Sequence, residues 1–447
     1  MKIIERFKDL TLIEKLICFY VALIPVMRVP DLPFISQKVQ FSEIIFLLMI
    51  IVWFIGLIKK KYRLKNNFLT LPIILIAAAF SISSINAELK TASLLELSGI
   101  LYLLLMVYFV SIMISGKKSA YFIMDIWVYT AFFVSSIGML AILDWLFFKR
   151  AVFLLAPQPG LTSVLPFPRI HSTFRMGSML ASYLHISIIF AFIRFIEEPK
   201  GKKRVFLAIA IIMFFIVSLL TASRPLLGII VSIFLILLKL RGKVIYSVLR
   251  YSVFVLLVFV ILWSAAITLW VVVPVNYTIN QNEMSFSLKV HYPASLYMHL
   301  FDAAARMFKD HPITGVGIGM FNEKVIDYVD WQRKDVLLSH FYRNQQTWHG
   351  KSDPHSTYLG WAAETGALGL LAVMFLIILY LRKMWALSEH PGAQIKTLVV
   401  CYMAGMSGIL INAFYIDILT MRHFWFFIAL GLVFYNYSQT NTGEQER

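Results

Sequence analysis

Cysteine is nearly absent from this chain. Only Cys18 and Cys401 occur in 447 residues, and both lie inside apolar runs. Two such thiols provide neither a disulfide framework nor a metal site, so they read as small packing residues. Charge is scarce too: Asp, Glu, Lys and Arg make up 15% of the sequence, against about a quarter in a soluble domain. The usual signatures of nucleotide and metal chemistry are missing. No Gly-Lys-Ser/Thr closes a phosphate-binding loop. No Asp-x-Asp pair occurs, and no His and carboxylate group has metal-ligand spacing. Neither an internal repeat nor a low-complexity tract divides the chain.

Apolar residues are what it has, at 60% of the total. A helix that crosses a bilayer needs about 20 of them in a row. The sequence offers twelve such stretches, at roughly 14–28, 41–58, 68–87, 93–115, 120–147, 172–193, 205–222, 225–238, 247–274, 355–381, 397–416 and 421–437. The first has a basic start but no small-residue cleavage site, so it is expected to remain as a span rather than act as a signal peptide. The expected fold is an all-α polytopic membrane protein of about twelve transmembrane helices. Four regions follow: spans one to five with an outer loop (1–168), spans six to nine (169–274), a long helical periplasmic loop (275–354), and spans ten to twelve with a short tail (355–447).

Positive charge sets the expected orientation. With the N-terminus inside, 24 Lys and Arg lie at the inner ends and 9 in the short outer segments, with 8 more in the long loop. Cytoplasmic loops carry the excess, and long loops count little. Both termini are therefore expected in the cytoplasm and the long loop outside. The net charge of +17 follows from this bias and suits a basic face against anionic lipid. The basic residues are dispersed among spans with no soluble domain to carry them, so nucleic acid is not an expected partner.

The loop from Val275 to Pro354 is the one long water-compatible segment, about 80 residues. Within it, 294–309 has mixed polarity and good helix formers, with Leu296, Leu300, Ala304 and Phe308 on an i, i+4 ridge. This helix is expected to stop near Asp310-His311, because Pro312 follows. The alternating Gly315, Gly317 and Gly319 come next, and they permit a tight turn and a close backbone approach. The other outer loop, 148–171, holds Pro157, Pro159, Gly160, Pro166 and Pro168, which oppose regular helix.

Several charges sit where charge is expensive. Arg224 lies between two apolar runs, in Thr221-Ala-Ser-Arg-Pro225, with Ser223 suited to cap the next helix and Pro225 to open it. Alone it is an interface anchor, but an arginine at a membrane span is by default a functional hypothesis. His355 follows Asp353, a cap candidate, and Pro354. In the first turn of a helix the dipole favours a neutral imidazole, which can take a proton from a hydroxyl. Arg306 on the loop helix, and Arg169 and Arg175 before span six, would each alone be a surface or interface charge. Spans six, eight and ten all start outside, so their positive ends share one level. Arginines near such ends make a site for an anion such as a phosphate or diphosphate.

These residues carry a resemblance. Leu219-Leu-Thr-Ala-Ser-Arg224 is similar to the Thr-x-Ser-Arg at a helix start in the O-antigen ligase and polymerase superfamily of bacterial surface-polysaccharide enzymes. Pro312-Ile-Thr-Gly-Val-Gly-Ile-Gly-Met-Phe321, with Arg306 upstream, is similar to its Pro-x-x-Gly-x-Gly-x-x-x-Phe segment. His355-Ser-Thr-Tyr-Leu359 and Glu364-Thr-Gly366 resemble its His-Asn-x-Tyr-Leu and Glu-x-Gly. Arg169-Ile-His-Ser-Thr-Phe174 is a weaker fourth. The likeness covers roughly 169–437, with Ser356 in place of Asn and Met176-Gly-Ser178 in place of an Asn-Pro-Asn-like stretch.

The resemblance implies glycan transfer from undecaprenyl diphosphate at the periplasmic face of the bacterial inner membrane, without metal, nucleotide or other cofactor. It implies a diphosphate-binding role for Arg224 and Arg306 and a catalytic base at His355. Arg169, Arg175, Gly315 and Gly317 are further candidates for the donor or acceptor site. The acceptor is a lipid A-core sugar in a ligase and a second lipid-linked glycan in a polymerase. The residues also admit a transporter or flippase, which Asp125 and Asp144 in span five keep open. His291 and His311 read as structural, and Glu364 as a helix-packing or supporting group.

Overall fold

The computed structural model describes residues 2–27, 40–62, 67–148, 155–156, 168–239, 294–328, 354–389 and 393–445. Its helices are α1 (Lys2–Lys8), α2 (Leu12–Leu23), α3 (Phe41–Ile58), α4 (Thr70–Asn86), α5 (Lys90–Met113), α6 (Lys117–Phe148), α7 (Gly177–Glu197), α8 (Lys202–Leu220), α9 (Leu226–Lys239), α10 (Ala294–Asp310), α11 (Phe321–Tyr328), α12 (Thr357–Ala386), α13 (Ala393–Asn412) and α14 (Arg422–Gln445). A two-residue antiparallel hairpin pairs β1 (Leu155–Ala156) with β2 (Arg169–Ile170). Among the described residues, α3, α5, α6, α7, α8, α12 and α13 are long and apolar enough to cross a membrane. Helix α4 and the Leu226–Leu238 part of α9 are apolar but shorter. The chain is a helical, multi-pass membrane protein.

Local sequence explains most element boundaries. Helix α2 begins at Leu12, because Thr11 and Glu14 cap each other's backbone N–H groups in a reciprocal box. Its end at Leu23 falls short of the expected 14–28. The expected span 247–274 and the loop ends 275–293 and 329–353 lie outside the described residues. On α3, Leu47, Leu48, Ile51, Phe54 and Ile55 are exposed, a face that suits lipid and not water. On α7, by contrast, every residue from Leu180 to Ala191 is buried. That helix runs through the centre of the bundle, against α6, α8, α9, α13 and α14.

Bonds between turns define two ends. At one end, Met27 N–H donates to Thr173 O, Asn86 Nδ2 to Thr314 Oγ1, Arg169 Nε to Thr221 O and Thr357 N–H to Ala413 O. Every motif picked out from the sequence in the described residues lies here. At the opposite end, Ser115 donates to Glu14, Lys117 to Gln394, and Asp125 takes a bidentate pair from Arg194 (2.7 and 3.2 Å) with Lys203 Nζ 2.7 Å away. Glu197 and Glu198 complete that cluster. Asp125 is thus a neutralised carboxylate near the start of α6, joining α6, α7 and α8, rather than an isolated charge at mid-membrane depth.

The loop region builds a small core of its own. Helix α10 spans Ala294–Asp310 and stops before Pro312, close to the 294–309 expected. Its buried face is Leu300, Ala303, Ala304 and Met307, which pack with Val316, Met320, Phe321, Val325, Ala363 and Ala87. Leu300 and Ala304 belong to the expected ridge. Phe308 is half-buried at its flank, and Ala303 and Met307 take its place because a helix period of 3.6 rotates the stripe.

Candidate functional site

The Thr221–Pro225 turn is built by residues from three other places in the sequence. Arg169, the first residue of β2, donates from Nε to Thr221 O at 3.0 Å and from its terminal nitrogen to Ala222 O. Gly177 lets this happen: a Cβ there would stand 3.1 Å from Ile170 O and 3.2 Å from Thr221 O. Thr221 is fully buried, and its hydroxyl pairs with Ser223 Oγ at 2.6 Å. The Ser223 hydroxyl, expected to cap α9, is therefore engaged within its own turn. The cap comes from Asn412 at the end of α13, whose Oδ1 accepts Gly228 N–H at 3.0 Å and whose Nδ2 donates to Pro225 O at 3.1 Å. The Arg224 guanidinium stands over the Tyr415 ring, 5.8 Å from its centroid, a cation–π placement.

His355 is carried by the same α13–α14 turn. Thr357 N–H donates to Ala413 O at 2.8 Å, Thr357 Oγ1 donates to Ile416 O at 2.7 Å, and Ile418 N–H donates to Thr357 Oγ1 at 2.9 Å. Tyr358 OH donates to Leu410 O at 2.9 Å, with its ring against Phe414. Trp361 Nε1 donates to Asp417 Oδ1 at 3.1 Å. Ser356 is the N-cap of α12, accepting Leu359 N–H. This corrects the expectation that Asp353 caps the helix and His355 occupies its first turn. Asp353 lies outside the described residues, and His355 is one residue before the cap, half-buried, at the mouth of the helix. The correction also accounts for the serine at the position where the family pattern has asparagine: both are good N-caps.

Strain marks the same three places. Among the described residues, four that are not glycine have positive φ: Lys60 at 55°, Ser172 at 49°, Ala222 at 44° and His355 at 48°. Three of them sit at the motif-bearing end, beside Arg169, beside Arg224 and at His355 itself. Such a conformation costs about 1–3 kcal/mol, and it collects at functional sites where the surroundings enforce it. The clamping bonds from Arg169, Asn412 and Thr357 supply that enforcement.

The glycine segment packs against the chain's own backbone. Gly315, Gly317 and Gly319 have φ of 70°, 111° and 75°. Val316 and Gly317 N–H donate to Ala363 O and Glu364 O, while Ala367 and Leu368 N–H donate back to Pro312 O and Ile313 O. Helix α12 kinks at Gly366, with φ 62° and ψ −162°, to expose those groups. A Cβ on Gly315 would lie 2.2 Å from the Glu364 carbonyl carbon, and one on Gly317 2.7 Å from Ala87 Cα. The close approach that these glycines permit is to the chain's own backbone. Glu364 Oε1 accepts Phe321 N–H at 3.0 Å, capping α11.

Arg306 lies on an exposed flank of α10, with Asp302 Oδ2 at 2.8 Å one turn earlier. Arg175 is exposed, one residue before the α7 cap Met176. Among the described residues, no group of three or more His, Cys, Asp or Glu is placed to hold a metal ion. Sequence reasoning missed Asn412 and Tyr415, which lie in Ile411-Asn-Ala-Phe-Tyr415, a segment without a motif. The arrangement joins a half-buried guanidinium and an imidazole through one shared turn.

No curated protein matches the chain. The family model described as O-antigen ligase matches residues 208–374, a stretch that holds Arg224, Arg306, Gly315, Gly317, His355 and Glu364. Over that segment the chain is similar to the O-antigen ligases.

Proposed function

We propose that the protein is an O-antigen ligase that transfers a glycan from undecaprenyl diphosphate to a lipid A-core sugar, at the periplasmic face of the inner membrane. The observation that supports this most is the convergence on one turn: residues 412–418 hold the Arg224 loop through Asn412 and Tyr415, and the His355 loop through Thr357. A cation and a base tied to one turn match the two demands of the reaction. The acceptor hydroxyl loses its proton to the His355 imidazole as its oxygen bonds to the anomeric carbon. The bond from that carbon to the diphosphate oxygen breaks, and the diphosphate leaves with the electron pair. Positioned proton transfer contributes about 10²–10⁴-fold. Fixed cations beside the leaving group stabilise charge as it develops, without solvent reorganisation.

Arg224 is the principal diphosphate ligand in this scheme. Arg306 joins it by exchanging the Asp302 carboxylate for a phosphate oxygen. An exposed pair of this kind is worth about 0.2–1 kcal/mol, so the exchange has a low cost. Arg169 supports the donor site indirectly, through the carbonyls of Thr221 and Ala222. The test is transfer by the purified protein in lipid nanodiscs, from glycan-charged undecaprenyl diphosphate to two offered acceptors. The ligase reading predicts label on lipid A-core. Label only on a second lipid-linked glycan assigns a polymerase instead, and no transfer to either sinks the glycosyl-transfer reading.

A further inference from the structure

We propose that Asn412 is a positioning residue for Arg224, fixing the donor-binding guanidinium through the first turn of α9. The proposal rests on the reading of Arg224 as a diphosphate ligand. The first turn of a helix leaves N–H groups without intrahelical partners. Here Leu226 and Leu227 N–H donate to Ser223 O and Arg224 O, and Ile229 N–H to Pro225 O. Gly228 N–H is left over, and it donates to Asn412 Oδ1 at 3.0 Å. The other half of the same amide donates to Pro225 O at 3.1 Å. One side chain thus grips both sides of the turn immediately after Arg224, from a helix 184 residues away in sequence.

The orientation of that amide is dictated by its neighbours. Asn412 Nδ2 also faces His185 Nδ1 at 3.4 Å, which accepts. His185 Nε2–H then donates to Ser232 Oγ at 2.7 Å, and Ser232 O–H donates to Ala404 O at 2.8 Å. Each donor in the chain finds an acceptor in one direction only, so the amide cannot flip without leaving buried groups unsatisfied. Asn412, His185 and Ser232 are all buried. The helices that carry the grip are also fixed in separation. A Cβ on Gly228 would come within 2.2 Å of Gly408 O, and one on Gly408 within 2.2 Å of Gly228 O, so α9 and α13 touch backbone to backbone. Three residues beyond Asn412, the Tyr415 ring underlies the Arg224 guanidinium. The same helix end therefore holds the backbone that follows Arg224 and faces its side chain.

The experiment is a double-mutant cycle on the full chain in lipid nanodiscs, reading the affinity for undecaprenyl diphosphate and the donor KM. Asn412→Ala is expected to weaken binding about tenfold in an otherwise unchanged protein and less than about twofold in an Arg224→Ala background. Donor KM rises more than kcat falls. Ser407→Ala, which removes a hydroxyl from the same helix as Asn412 but outside this network, is expected to bind within about twofold of the parent. Binding by Asn412→Ala within that margin overturns the proposal. So does an equal loss with and without Arg224, which marks general loosening. Should Asn412→Ala not fold, Asn412→Asp keeps the acceptor for Gly228 N–H and drops the donor to Pro225 O; unchanged affinity there overturns the proposal too. If Arg224→Ala alone binds undecaprenyl diphosphate as tightly as the parent, the diphosphate reading itself fails, and this inference with it.

Discussion

At the scale of single residues, His355 is unusual for its backbone as much as its imidazole. A histidine at φ 48° sits where L-residues pay about 1–2 kcal/mol. The next two residues hold it there: Ser356 caps α12 and Thr357 is bound three times to the α13–α14 turn. None of this was legible in the sequence, because contacts from distant segments enforce the positive φ. The strings that single out His355, Arg224 and Arg306 were legible, since each is local. The cap is testable. Ser356→Ala is expected to lose about 0.5–2 kcal/mol of stability, towards the low end because the Leu359 N–H bond is 3.5 Å long. Ser356→Asn, which restores the family pattern, is expected to stay within a few tenths of the parent, about 0.3 kcal/mol. Thermal unfolding in detergent measures both.

At the scale of elements, the sequence located helices well and their fastenings poorly. Apolar length and 3.6-residue periodicity are properties of one segment, so α10 and the membrane helices could be read directly. The cap of α9 from Asn412 and the cap of α11 from Glu364 join segments far apart, and no periodicity encodes them. The glycine segment illustrates the difference. Its spacing announced a close approach but not the partner, which is the backbone at the α12 kink at Gly366. Gly315→Ala is accordingly expected to destabilise the loop by more than about 1 kcal/mol, through positive φ and a clash with backbone. Gly99→Ala in the middle of α5, where an added Cβ meets nothing within 4 Å, is expected to stabilise by up to about 1 kcal/mol. Proteolysis of the 311–320 segment and thermal unfolding separate the two variants.

At the scale of the whole molecule, charge is divided between two ends with different characters. The end carrying Asp125, Arg194, Lys203, Glu197 and Glu198 is a closed ionic cluster with its partners in place. Losing one member of such a buried pair costs about 3–5 kcal/mol, which identifies Asp125 as a fastening of α6 to α7 and α8 and removes a main support for a transporter. The other end gathers strained backbone, half-buried arginine and His355 around the α13–α14 turn. The central claim is that this end performs base-assisted glycosyl transfer. The most direct measurement is single-turnover transfer by His355→Asn, because asparagine tolerates positive φ and leaves the backbone of the site intact while removing the base. The account predicts a rate at least about 10²-fold below the parent, with undecaprenyl diphosphate bound as tightly as before. A folded His355→Asn protein that transfers glycan at the parental rate would contradict it.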